Sequence, residues 1–179
     1  MRWSPLNEEI IPGLSIPWIR THFQRYRERR PWDFCWRIAI EGTVVAFAGC
    51  AILALLGLPG RKLKIDFPAH LFVGVVGAPV LETLIFQAFP VWIARKCKAG
   101  VPIQIAASVV PFFAAHAVEG MMTGIGAGLI SGFYLAFTYA HWRQKKRWTA
   151  FWTTAVSHAI HNGIVITLAV AAGRMKGPV

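Results

Sequence analysis

The chain has 179 residues and a formal net charge of +11, yet 55% of its residues are hydrophobic and only 15% are charged. Soluble domains carry about a quarter charged residues, so this balance excludes an ordinary soluble domain. A bilayer crossing takes about 20 apolar residues, and the length fits one domain of five or six crossings. The basic residues fall between the apolar runs. There they read as topology signals and contacts to anionic lipid, and no nucleic-acid module accompanies them.

Residues 1–37 form a basic segment with seven arginines and no apolar stretch that a signal peptidase would cleave behind. Within it, Ile19, Phe23 and Tyr26 recur at helical spacing over residues 16–30, with arginines between them. This pattern fits an amphipathic helix on the membrane surface or a loosely ordered basic arm. Residues 38–179 form the transmembrane core. Its first span covers about 38–58, with Glu41 at the mouth, and Pro59-Gly60 opens a loop to residue 66. A second span covers about 67–93 and closes on Arg95, Lys96 and Lys98. The third and fourth spans, 101–118 and 121–140, flank a glycine-rich stretch. Gly124, Gly128 and Gly132 recur there four apart, which permits close helix packing. Arg143, Lys145, Lys146 and Arg147 precede a fifth span over 150–171. The expected fold is an all-α polytopic bundle with an N-terminal amphipathic helix. With the N-terminus in the cytoplasm, fourteen of the nineteen basic residues fall on the cytoplasmic side, as in a bacterial inner-membrane protein. Cys35, Cys50 and Cys97 match no disulfide framework or metal motif.

The informative residues are polar ones within apolar spans. An ionised acid at mid-bilayer costs about 2.5–3.5 kcal/mol on insertion scales, so Glu82, inside Gly77–Phe89, calls for a cavity and a partner. His116 ends the third apolar run. His158 and Asn162, four apart, share one face of the fifth span, with His161 beside that face. His22, His70 and His141 fall near span ends and read as anchors or bystanders, and Glu119 as a water-exposed residue at a span end. A buried carboxylate is a better base than an exposed one. A histidine can orient the water it deprotonates, and an imidazole and an amide can donate to an oxyanion. Together these groups suit peptide hydrolysis without a protein nucleophile.

Three segments in order carry a resemblance. Ala78-Pro-Val-Leu-Glu-Thr-Leu-Ile-Phe-Gln87 resembles the first motif of the CAAX-protease and bacteriocin-processing family of intramembrane proteases. Phe112-Phe-Ala-Ala-His116 and His158-Ala-Ile-His-Asn162 are similar to that family's Phe-x-x-x-His and His-x-x-x-Asn. The resemblance implies an intramembrane endopeptidase. Glu82 would be its general base, His116 would help activate water, and His158 and Asn162 would form the oxyanion site, with Phe112 and His161 in support. Two positions depart from the family pattern. Thr83 stands where the family has a second glutamate, and Gln87 where it has an arginine, so a neutral pair able to hydrogen-bond replaces an ion pair. The expected substrate is a membrane-anchored peptide or protein, and by analogy with the family it would be matured or sorted at a C-terminal signal. No cofactor is expected. The competing reading is zinc held by Glu82, His116 and His158, although no His-Glu-x-x-His pair is present. Other readings of the same residues are a non-catalytic immunity or regulatory protein on this scaffold and a small proton-coupled transporter.

One distance is in tension with this site. Glu82 falls about 20 Å from the outer end of its span at 1.5 Å per residue, whereas His116 falls only a few residues from the end of its own. The two meet only if the boundaries shift, if the third helix runs past Gly120, or if the glycine-rich stretch dips into the membrane.

Overall fold

The computed structural model describes residues 17–59 and 69–172. Among these residues every regular element is helical. A short helix, α1 (Pro17–Gln24), leads into α2 (Pro31–Leu55), α3 (Val73–Lys96), α4 (Val101–Ala117), α5 (Met121–Lys145) and α6 (Arg147–Ala171). Four of these, α2, α3, α5 and α6, are long and apolar enough to cross a membrane, and α4 is a shorter apolar helix of 17 residues. The chain is an all-α polytopic helix bundle, as its composition implied. Residues 1–16, the expected loop from residue 60, the start of the second span before residue 69, the side chains of Ile19, Arg20 and His70, and Arg174 and Lys176 lie outside the described residues.

The helix ends follow local chemistry. Arg30 is extended (φ −71°, ψ 153°) and Pro31 occupies the first turn, so α2 starts at the proline and not at residue 38. The division expected after residue 37 therefore falls inside a helix. At the other end of α2, Gly57 takes φ 82° and Leu58 N–H bonds Leu53 O at 3.0 Å, a left-handed glycine cap. Gly120, at φ 121° and ψ 149°, joins α4 to α5 in a conformation that favours glycine.

Burial along α3 is inverted relative to a soluble helix. Thr83 and Gln87 are fully buried, while Leu81, Leu84 and Ile85 are more than half exposed. Exposed apolar side chains also cover the outer faces of α2 and α6. A surface of this kind is stable against lipid and not against water.

Three stretches carry widened i→i+5 turns: Val73–Gly77 and Thr83–Ala88 in α3, and Gly124–Ser131 in α5. Each of the first two is followed within two residues by a proline, Pro79 or Pro90. A proline ring clashes with the carbonyl four residues back, and opening the turn relieves that clash. The third lies in the glycine-rich stretch, where α5 presses against α4. A Cβ on Gly128 would lie 2.7 Å from Phe113 Cα, and one on Gly124 would lie 2.9 Å from Ala117 Cα. The spacing of small residues thus packs two helices closely, as expected.

Phe23 and Tyr26 are buried against Phe34 of α2 and Phe133, Tyr134 and Phe137 of α5, so residues 21–26 pack onto the bundle. His141, expected as an interfacial anchor or bystander, is a core residue stacked on Phe34 with ring centroids 5.4 Å apart.

Candidate functional site

The tight 97–100 connection joins α3 and α4 as an antiparallel hairpin and fixes which residues face each other. Counted from that loop, Glu82 lies 14 residues before Lys96 and His116 lies 15 residues after Val101. The ring contact of Phe86 with Phe112 (5.3 Å) sits one turn nearer the loop and sets this register. Glu82 and His116 therefore reach one level, where they line a cavity of about 460 Å³. The α4 helix ends at Ala117 without running past Gly120. Glu119, Met122, Thr123, Gly126 and Ala127 line the same cavity, at the depth of Glu82. Glu119 is exposed toward this space.

Hydrogen bonds orient two of the cavity histidines. His116 Nδ1 lies 2.9 Å from Phe112 O, and a carbonyl only accepts, so Nδ1 carries the proton. Thr43 donates its hydroxyl proton to Ala39 O at 2.7 Å and so accepts from His161 Nδ1, also at 2.7 Å. In the neutral form of either ring Nε2 then keeps its lone pair. His161 Nε2 lies 3.4 Å from Ser131 Oγ. His161 also lines the cavity, which gives it a firmer place at the site than its sequence position indicated.

His158 is placed differently. It is buried behind Glu82, with Nε2 3.7 Å from Glu82 Oε2, and it is not on the cavity wall. Phe112 packs between the two histidines, its ring 4.3 Å from His116 and 6.0 Å from His158. Asn162 does line the cavity, but its Nδ2 donates to Gly74 O at 2.7 Å. The widened turn at Val73–Gly77 directs the Ala78 N–H to Val73 O, and Asn162 bonds the neighbouring carbonyl of Gly74. One amide proton of Asn162 is thereby used in holding α6 to α3. Thr83 and Gln87 are buried beneath Glu82, but neither side chain has a hydrogen-bond partner among the described residues, so the mutual bond expected for this pair does not form. Among the described residues no three His, Cys, Asp or Glu side chains gather as a metal-binding group. Cys35, Cys50 and Cys97 are free thiols.

The sequence pattern did not single out a second polar cluster, at the basic end. Glu41 accepts from Tyr26 at 2.5 Å and from Tyr134 at 3.1 Å, and it also meets His22 Nε2 and Arg25 Nη2. Burial, and secondarily the Glu41 carboxylate, hold the Tyr26 phenol above its ordinary range, so it remains a donor. His22, expected as an anchor or bystander, is part of this cluster. The signal was available, since a carboxylate at the mouth of an apolar span needs partners and the preceding amphipathic segment supplies them.

Comparison of the chain with protein-family models, with curated proteins and with solved structures gives no match.

Proposed function

We propose that the chain is an intramembrane endopeptidase that hydrolyses a peptide bond of a membrane-associated substrate, with Glu82 as the general base. The observation that carries this reading is the convergence of Glu82, His116, His161 and Asn162, from three helices, on one cavity. A water between Glu82 and His116 would donate one hydrogen bond to the carboxylate and one to His116 Nε2. Glu82 takes a proton from this water as its oxygen attacks the scissile carbonyl carbon. The oxyanion accepts from the second amide proton of Asn162. When the C–N bond breaks, the proton on Glu82 passes to the leaving nitrogen. His158 holds Glu82 in place, a role that fits its position better than direct donation to the oxyanion. With about 460 Å³ and apolar walls that include Phe47, Val165 and Ile166, the cavity suits a short extended segment of a membrane-anchored chain.

The reading includes a bacterial inner-membrane location with a cytoplasmic N-terminus, based on the loop charges, and a role in maturing or sorting exported proteins. The test is processing in cells of membrane-anchored proteins that change size when this chain is deleted, with wild type compared against Glu82→Gln at equal expression. Cleavage by wild type and none by Glu82→Gln supports the reading. Equal processing by both refutes it. Proton flux in proteoliposomes without any cleavage would favour a proton-coupled transporter instead.

A further inference from the structure

One turn toward the basic end from the Glu82–His158 pair, three helices bury polar side chains that have no partner. They are Gln87 on α3, Ser108 on α4 and Thr154 on α6, all fully buried. Both polar atoms of the Gln87 amide and the hydroxyl oxygens of Ser108 and Thr154 lack a hydrogen-bond partner among the described residues. Thr83 Oγ1 and His158 Nδ1 share this condition. Helix register places the three at one level. The Phe112 and His158 rings are 6.0 Å apart, α4 and α6 run in the same direction, and Ser108 and Thr154 each precede those residues by four. The α3 helix runs the opposite way, and Gln87 follows Glu82 by five residues, which places it at the same level.

These orphaned hydroxyls are exceptional within the bundle. Thr43, Thr138, Ser157 and Thr167 each donate to the carbonyl four residues back at 2.7–2.8 Å. Thr83, Ser108 and Thr154 do not. Native interiors satisfy nearly all buried polar groups, through ordered water where protein partners are absent. A single orphaned atom is tolerable, whereas several at one level, on α3 and on the two helices it packs against, point to an occupant.

We propose that this layer is a binding site for internal water, a small cluster bonded to Gln87, Ser108, Thr154 and His158 Nδ1. Water fits the chemistry better than a cation. The Gln87 amide brings two N–H groups into the layer however it is turned, and water accepts from these while donating to hydroxyl oxygens. The site has a consequence for Glu82. Water that donates to His158 Nδ1 puts the ring proton on Nε2, facing Glu82. Water that accepts from Nδ1 leaves Nε2 a lone pair for a protonated Glu82. The layer thus sets the tautomer presented to the carboxyl group, whatever reaction that group performs, and the inference does not rest on the peptidase reading.

The test is X-ray radiolytic hydroxyl labelling of the purified full chain in detergent, with each residue's rate normalised to the unfolded chain. Radicals formed from bound water modify the side chains beside it. His158 should label several-fold faster than Phe23, which is equally buried and whose ring neighbours carry no unpartnered atom. That comparison on wild type alone overturns the proposal if the rates are alike. In Gln87→Leu and Thr154→Val variants the fast labelling should fall, and the melting temperature should drop by about 2–4 °C for each hydrogen bond to water that is removed. In a dry layer the same substitutions remove orphaned polar groups and would raise it. A melting temperature that rises with sodium at fixed ionic strength would also overturn the assignment, in favour of a bound cation.

Discussion

Replacing Glu41 with leucine should undock α1 and destabilise the bundle by about 3 kcal/mol. The Glu41 side chain is only 16% exposed and accepts from the Tyr26 and Tyr134 hydroxyls. A hydrogen bond to a charged acceptor is worth about 1.5–3 kcal/mol net, so the two phenols together account for about 3–6 kcal/mol. Arg25 adds little, because its side chain is 50% exposed and an exposed pair contributes about 0–1 kcal/mol. Leucine recovers about 1–2 kcal/mol through apolar burial, which leaves a net loss of about 3 kcal/mol. For a chain of this size that corresponds to a fall in melting temperature of about 6–12 °C. Thermal unfolding of the full chain in detergent, followed by tryptophan fluorescence, measures it. Limited trypsin digestion reports the undocking itself, since Arg25, Arg27, Arg29 and Arg30 follow α1. A double-mutant cycle of Glu41→Leu with Tyr134→Phe should give a coupling near 1–2 kcal/mol. A melting temperature within a degree of wild type, with unchanged trypsin resistance, would refute the argument.

Three further outcomes are expected. Gly128→Ala places a Cβ 2.7 Å from the backbone of Phe113 and should cost about 1–3 kcal/mol in thermal unfolding. Gly163→Ala meets nothing within 4 Å inside α6 and should be neutral or stabilising by up to about 1 kcal/mol. Asn162→Ala removes the donor to Gly74 O and should lower stability by about 1–3 kcal/mol whether or not substrate is cut. Asn162→Asp, which sets an acceptor against that carbonyl, should be worse, and melting curves of the two variants rank them.

Much of the architecture was legible because lipid imposes long apolar runs and basic loops, and both can be read without coordinates. The end of α4 fell within one residue of its expected position, and Gly124 and Gly128 packed as their spacing implied. The start of α2 was misplaced, because Asp33 and Arg37 made its first turns look like part of a basic arm. Both are bonded in place, Arg37 Nε to Asp33 at 2.7 Å. Glu82 and His116 were visible as polar residues in apolar runs, but their place on one cavity depends on the hairpin register, which is a tertiary fact. The positions of His158 and Asn162 could not be read at all. A spacing of four shows a shared helix face and not which residue reaches the cavity. The commitment of Asn162 to Gly74 follows from a widened turn near Pro79 on another helix.

The central claim is that the Glu82 carboxylate activates water within the membrane. The direct measurement is cleavage of a membrane-anchored substrate by purified full chain in detergent, with wild type compared against Glu82→Gln of matched melting temperature. The account predicts cleavage by wild type and a loss of at least about a hundredfold in the variant, the scale of general-base catalysis. Cleavage by Glu82→Gln at the wild-type rate would contradict it.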